Sequence, residues 1–345
     1  MRWFESTQPS FACRAGIFFY GEDEMLSIVL AAGKGTRMKS DHPKVVFPVC
    51  GRPMILRCIE NLKKMKITHL AVVIGHGAGE VRTALEAHGD ITYFTQKEQM
   101  GTGHAVQQVD LDRFDDEYAV IIPGDVPLLD PEKVEAIFTE AVESRLDALV
   151  LTTQLHNPRG YGRILTRGEH FHRIVEEKDA SPEQKAVNRI NTGVYLIRKQ
   201  LLRDYLPRLS ADNNQKEYYL TDIFHDLAKE GFHIEIRDYF PAEECMGVNS
   251  RLQLQEANRI YQKRILEKLM ENGVTVNHPE SVVLEGDLDC EPDCTILGPV
   301  VFKGDVTLKK GACAGPFAYF EDCTLSPGEE GAFMKRIKNN VNPIS

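Results

Sequence analysis

The sequence predicts an α/β protein with a doubly wound sheet domain, a helical arm and a short parallel β-helix. Three observations predict it. Between residue 25 and about residue 240, apolar strand-like runs alternate with segments of helical periodicity. Asn249 to Glu271 then forms one long, charged amphipathic pattern. From about Val282 the chain falls into imperfect hexads with Gly or Asp at the turns.

The strands of the first part are read at Ser27–Ala32, His69–Ile74, Ile91–Phe94, Tyr118–Ile122 and Ala148–Thr153. Helical periodicity marks Met54–Met65, Gly79–His88, Thr102–Val109 and Pro131–Glu143 between them. In a sheet wound this way, ligands sit beyond the carboxyl ends of the strands. The hexads Val283-Leu-Glu-Gly-Asp, Cys294-Thr-Ile-Leu-Gly-Pro, Val300-Val-Phe-Lys-Gly-Asp and Val306-Thr-Leu-Lys-Lys-Gly allow about three coils before Gly328. The domain boundaries follow as 25–248, 249–272 and 273–330. Residues 331–345 read as a basic amphipathic cap or a frayed tail. Residues 1–24 mix Arg, Glu, Pro and aromatics ahead of Met25, and read as a disordered extension or a misassigned start.

Composition narrows the function. The 345 residues are 42% hydrophobic and 27% charged, the balance of a globular enzyme. A formal charge of −10 argues against nucleic acid as the main partner. No apolar run approaches a membrane span. The eight cysteines form no C-x-x-C pair, so they read as reduced, buried thiols of a cytoplasmic protein.

The most informative stretch is Leu30-Ala31-Ala32-Gly33-Lys34-Gly35-Thr36-Arg37-Met38, leading to Pro43-Lys44. Gly33 and Gly35 let backbone N–H groups approach phosphate oxygens closely. Lys34, Arg37 and Lys44 can neutralise the charge that remains. The spacing fits neither G-x-x-x-x-G-K-[ST] nor G-x-G-x-x-G. Alone, it could be only a tight turn. Gly124-Asp125 puts a carboxylate at the end of another strand, where it could equally be a cap or a turn residue. Gln96 to His104 could be a capping loop, and Gly160-Tyr-Gly-Arg-Ile164 only a hairpin. Ile174-Val-Glu-Glu-Lys-Asp179 and Ile190-Asn-Thr-Gly193 each end a strand in polar residues, and Gly247-Val-Asn249 closes the domain. His76 reads as structural, His104 as the opening of a helix, and Glu177 as a solvated side chain.

Taken in order, LAAGKGTRM, SDHPK, GHGAGEV, QMGTGHAV, GDVPLL, GYGRI, IVEEKDA, INTGVY, EYYLTD and GVNSRLQL resemble the bacterial N-acetylglucosamine-1-phosphate uridyltransferase family. The resemblance runs from Met25 to about residue 325. It implies a Rossmann-like nucleotidyltransferase domain with a left-handed β-helix behind it, acting on UTP and N-acetylglucosamine 1-phosphate. It implies that Ala31, Ala32, Gly33 and Lys34 contact the nucleotide, with Arg37 and Lys44 on its phosphates. Gln96, Gly101 and Thr102 would read the uracil. Gly124 would line the site beside Asp125, and Gly162, Glu176 and Asn191 would hold the sugar. Asp125 and Asn249 would coordinate Mg²⁺. Arg37, Lys44 and Asp125 would then be the catalytic residues.

The family commonly carries a second, acetyl-CoA-dependent activity on a long β-helix, and there the sequence departs. Its eleven histidines end at His278, ahead of the hexads. The expectation is therefore a uridylyltransferase without acetyl transfer. The stub Val283–Leu325 would serve as a homotrimer interface or merely bury the end of the arm. The rival readings are a pyrophosphorylase for another sugar phosphate or nucleotide, a noncatalytic sugar-nucleotide scaffold, and a hexapeptide acyltransferase.

Overall fold

The computed structural model describes residues 25–328 and the backbone of 336–338; residues 1–24 lie outside the described residues. The first strand, β1 (Met25–Ala31), shows why these runs read as continuously apolar. Met25, Val29 and Ala31 belong to one hydrophobic core, while Leu26 and Ile28 belong to a second. Both faces of the strand are therefore buried.

A small hairpin, β2 (Pro48–Val49) and β3 (Arg52–Pro53), leads into α1 (Met54–Leu62), β4 (Ile67–Ile74), α2 (Ala78–Ala84) and β5 (Ile91–Thr95). Next come α3 (Thr102–Gln107), β6 (Tyr118–Pro123), α4 (Pro131–Glu143) and β7 (Ala148–Gln154). The hairpin β8 (Arg163–Arg167) and β9 (His170–Val175), the turn α5 (Pro182–Lys185) and β10 (Arg189–Arg198) follow. Then α6 (Lys199–Tyr205), α7 (Thr221–Glu230) and β11 (Ile234–Asp238) complete the domain. The expected helices after β3, β4 and β5 end earlier than their periodicity suggested, and Pro131–Glu143 agrees to the residue.

The sheet order is β11-β7-β10-β6-β1-β4-β5. Helices α1, α2 and α4 cover one face, and α3, α6 and α7 the other. One feature refines the doubly wound expectation: β10 runs antiparallel between β6 and β7. Its early residues therefore lie at the same edge as the carboxyl ends of its neighbours, with Asn191 opposite Thr152. Strand β1 pairs with β4 on one side and β6 on the other, so the loop leaving it emerges at the switch point.

The arm is α8 (Arg251–Glu271), capped by the Ser250 side chain, which accepts from Gln253 N–H at 3.2 Å. It ties several parts together. Asn258 Oδ1 accepts from Cys50 N–H at 2.7 Å. The buried Arg57 donates to the Val49 and Cys50 carbonyls at 2.8 and 2.9 Å and to the Tyr261 hydroxyl at 2.5 Å. Arg264 donates to the Leu128 carbonyl at 3.1 Å and pairs with Glu244 at 2.8 Å.

Beyond the arm lie two parallel sheets. One stacks β12 (Thr275–Asn277), β14 (Thr295–Leu297) and β16 (Cys313–Ala314). The other stacks β13 (Val282–Cys290), β15 (Val300–Leu308) and β17 (Ala318–Leu325). The register Val282–Val300–Ala318 sets one coil at three hexads, which accounts for the sequence period. Leu284, Phe302 and Phe320 form an inward column, with the two phenylalanine rings stacked at 5.5 Å. This is a short parallel β-helix. Within the tail read as a cap or a frayed end, β18 (Arg336–Lys338) pairs with the edge of β17 and so satisfies its backbone groups. The rest of 331–345 lies outside the described residues.

Burial pushes the Cys50 thiol up to about 11 and the Cys245 thiol up to about 12, so both behave as small hydrophobes rather than nucleophiles. Among the described residues, no helix is long and apolar enough to cross a membrane.

Candidate functional site

The loop after β1 presents the residues expected of a phosphate grip. Ala31 and Ala32 are buried, whereas Gly33, Lys34 and Arg37 are exposed. Gly35 has φ of 61°, and a Cβ there would stand 2.7 Å from Lys44 Cβ. That glycine is needed by the fold. At Gly33 the φ is unexceptional and a Cβ would meet nothing within 4 Å. Gly33 therefore has no packing reason to lack a side chain, which leaves approach by a ligand as the reason.

Lys44 begins a short 3₁₀ turn, Lys44–Val46, folded against this loop. Its Nζ donates to Asn249 Oδ1 at 2.7 Å and forms an ion pair with Asp125 Oδ2. The Asp125 side chain is only 6% exposed. Three residues from remote parts of the chain thus meet at one cation. Gly124 N–H donates to the Leu30 carbonyl at 2.9 Å, which ties the end of β6 to the end of β1. The Asp125 carbonyl in turn accepts from Val248 N–H at 2.8 Å, which brings in the segment carrying Asn249.

These donors suit a hard divalent cation. A carboxylate and an amide oxygen converge on a single positive charge, and Gly247 leaves the room, since a Cβ there would lie 3.0 Å from Asp125 Oδ2. Among the described residues, no group of three or more His, Cys, Asp and Glu side chains forms a self-sufficient metal centre. A Mg²⁺ here would complete its shell with water and phosphate oxygens.

At the end of β4, Gln96 N–H donates to the Ile74 carbonyl at 2.8 Å, and its side chain is buried. Gln96 Nε2 donates to the Gly101 carbonyl at 3.0 Å and lies 3.1 Å from His104 Nδ1. Gly101 adopts φ of 108°, with the Tyr218 carbonyl 2.5 Å from where a Cβ would be. Thr102 Oγ1 accepts from Leu220 N–H at 3.2 Å. The loop expected to read the base is therefore backed by Tyr218–Leu220, a contact that no local signal in EYYLTD revealed. His104 does more than open α3, since it holds the Gln96 amide. His76 Nε2 lies 2.9 Å from the Asp41 carbonyl and braces the loop before Lys44.

Gly162, Glu176 and Asn191 also come together. A Cβ at Gly162 would lie 3.4 Å from Asn191 Cβ and 3.5 Å from Glu176 Oε1. Asn191 N–H donates to the Gly162 carbonyl at 2.9 Å. The Asn191 side chain donates to the Tyr195 hydroxyl at 2.6 Å and accepts from Gly193 N–H at 3.1 Å. Burial pushes the Glu176 carboxyl above its usual value; the Thr221 hydroxyl, donating at 3.3 Å, opposes this, and Asp222, Asp179 and Glu217 add to it.

Two residues change standing. Glu177, expected in solvent, pairs at 2.8 Å with Arg163, whose side chain is 2% exposed. A buried guanidinium cannot go unpartnered, so the second glutamate is drawn in. Tyr161 was passed over in the glycine-rich loop. Its hydroxyl is buried in the field of Asp125, which together with burial pushes it up to about 12 against the pull of Arg37. It stands as a neutral phenol in the loop that carries Gly162.

Residues 27–223 match a family model described as the MobA-like NTP transferase domain. A protein of Desulfitobacterium hafniense named bifunctional protein GlmU is 36% identical over 304 residues, 88% of this chain and 67% of that protein. The bifunctional protein GlmU of Chromohalobacter salexigens is 41% identical over 302 residues, 87% of this chain and 66% of that protein. The chain thus spans about two thirds of these relatives. A solved UDP-glucose pyrophosphorylase complexed with UDP-glucose shares the fold at a TM-score of 0.58 and 19% identity, covering 70% of this chain and 99% of that one.

Proposed function

We propose, on the premise that this chain belongs to the GlmU family and carries its MobA-like NTP transferase domain, that it is a Mg²⁺-dependent uridylyltransferase. It would make UDP-N-acetylglucosamine and pyrophosphate from UTP and N-acetylglucosamine 1-phosphate. Nucleotidyltransferase chemistry follows from the family; the nucleotide, the sugar and the metal are the proposal.

One observation carries it. The strand order β5-β4-β1-β6-β10 lays out in turn the Gln96 loop after β5, tied to the end of β4, then the loop of Gly33, the carboxylate of Asp125 and the amide of Asn191. That is the order base, phosphates, reacting centre and sugar along a sugar nucleotide. The antiparallel course of β10 is what brings its first residues to this edge.

The sugar phosphate oxygen attacks the α-phosphorus of UTP in line, the bond from that phosphorus to the bridging oxygen breaks, and pyrophosphate leaves. The attacking phosphate is already ionised, so no proton moves and no general base is required. The two anions repel one another. Arg37 and Lys44 screen that repulsion, and the N–H groups around Gly33 and Lys34 hold the departing phosphates. Asp125 and Asn249 would hold Mg²⁺, which when bound neutralises charge developing on the phosphate oxygens. The Gln96 amide, fixed by Gly101 and His104, and Thr102 orient the base. Glu176, Asn191 and Gly162 hold the sugar so that its phosphate meets the α-phosphorus.

The test is a pyrophosphate-release assay with Mg²⁺, each nucleoside triphosphate and a panel of sugar 1-phosphates. Selective release with UTP and N-acetylglucosamine 1-phosphate is expected. Preference for glucose 1-phosphate or dTTP overturns the substrate assignment. Binding of UDP-N-acetylglucosamine without any release would mark a sensor instead.

A further inference from the structure

A cluster of basic side chains outside the site lies along the β8–β9 hairpin. A cavity of about 650 Å³ opens between the β8–β9 hairpin and α7. Arg167, His170, His172 and Arg173 line it from the hairpin, and His225 and Lys229 line it from the helix. No acidic side chain lines it. In a chain with a formal charge of −10, a pocket walled by six basic side chains is a marked local departure.

Its construction is specific. The β8–β9 register runs Leu165 opposite Arg173 and then Thr166 opposite Phe171, so His172 is an extra residue in the ladder. Such a bulge re-aims side chains, and here it lets two consecutive residues, His172 and Arg173, both face the cavity. From the helix, His225 Nδ1–H donates to the His172 carbonyl at 3.3 Å, and the two imidazoles meet edge to face at 5.5 Å. That bond fixes the His225 ring with its other nitrogen free to face a ligand. Arg173 Nε is buried and has no hydrogen-bond partner. Lys229 has only a long contact, 3.9 Å, to Asp226.

We propose that this pocket is a binding site for a polyphosphate-type anion, a small molecule carrying two or more adjacent phosphoryl groups. The residue types suit such a ligand. Arginine binds phosphate oxygens in a planar fork, while lysine and imidazole supply point donors around it. The electrostatics agree. Burial, followed by the charges of Arg167, His225, Arg173 and Lys229, holds the His172 imidazole below its usual value. The neighbouring cations add to the burial penalty on the protonated ring, although Asp222 and Asp226 lie on the same helix. An arriving anion would relieve that repulsion.

The site does not rest on the uridylyltransferase reading, and its test reads histidines rather than turnover. Inorganic pyrophosphate and tripolyphosphate are titrated into the full chain, with chloride at matched ionic strength as reference. The ring resonances of His172 and His225 are followed by NMR. Pyrophosphate can also occupy the phosphate grip at Gly33, so the titration is repeated in an Arg37→Ala/Lys44→Ala background. Saturable shifts of both histidines that persist in that background are expected. An Arg167→Ala/Lys229→Ala variant, altered at two exposed positions, should bind about tenfold more weakly, the loss expected for charge-assisted contacts. Three results overturn the proposal: no saturable shift at millimolar anion, equal shifts in chloride, or unchanged affinity in the Arg167→Ala/Lys229→Ala variant.

Discussion

Lys44 Nζ lies 2.7 Å from Asn249 Oδ1 while pairing with Asp125, so one ammonium joins two oxygens contributed from the middle and the end of the domain. The side chain expected on the phosphates occupies the position proposed for the metal ion. On that reading lysine and metal would compete for the same oxygens until nucleotide phosphates offered the lysine another partner. With nucleotide absent, Mn²⁺ should bind Lys44→Ala more tightly than the unaltered chain, as read by electron paramagnetic resonance. Turnover of the same variant should fall by about 100-fold or more, as it does when a key electrostatic group is removed. Asp125→Ala should lose both the metal and the turnover. Weaker Mn²⁺ binding by Lys44→Ala would show that the ammonium supports the cation site rather than competing for it.

Arg163 and Glu177 form a pair whose loss should cost stability. Arg163 also donates to the Tyr161 carbonyl, so it braces the loop that carries Tyr161 and Gly162. Glu177→Ala leaves a buried guanidinium without its carboxylate, at a cost of about 3 kcal/mol. The double variant Arg163→Met/Glu177→Ala removes both charges and should recover much of that loss. Urea denaturation of Glu177→Ala, Arg163→Met and the double variant checks this. Additive losses would mean that the two side chains act independently.

Glu176 makes stability depend on pH in a stated direction. Burial raises its carboxyl above the ordinary 4.5, so the folded chain holds a proton that the unfolded chain has released. Ionisation then favours unfolding, and the contribution of Glu176 to stability declines as pH rises above 4.5. Glu176→Gln does not titrate. Its melting temperature relative to the unaltered chain should climb across that range, and a difference constant with pH would contradict the burial effect.

What the sequence disclosed and what it withheld divide along one physical line. The phosphate grip, Asp125 at a strand end and the hexads were legible because each is written in neighbouring residues: a glycine pair after an apolar run, a carboxylate after another, a repeat of six. The reversed course of β10 was not legible, because Ile190–Gly193 looks the same in either direction and only pairing with β6 and β7 decides it. Nor was the Arg163–Glu177 pair, since neighbouring Glu176 and Glu177 look equivalent until one faces a buried guanidinium. Tyr218–Leu220 carries no mark of the loop it supports, because it offers backbone groups rather than side chains.

Two glycines separate the requirements of the fold from those of the ligand. Gly51 turns the β2–β3 hairpin with φ of 78°, and a Cβ there would lie 2.1 Å from the backbone carbonyl carbon of Glu285 in the first coil. Backbone cannot rotate away as a side chain can, so Gly51→Ala must part the hairpin from the β-helix. Strain of this kind costs about 1–3 kcal/mol, with the lost contacts added to it. Because the hairpin directly follows Lys44–Val46, the variant should also lower turnover. Gly33→Ala faces open space and an ordinary φ, so its stability should stay within about 0.5 kcal/mol of the unaltered chain. Its KM for the nucleotide should nevertheless rise, because the methyl group would stand where the phosphates approach. Denaturation midpoints and KM values for the two variants decide the matter. A Gly33→Ala variant with unchanged KM would remove the phosphate grip from that loop, and a Gly51→Ala variant of full stability would mean that the hairpin does not bear on the coil.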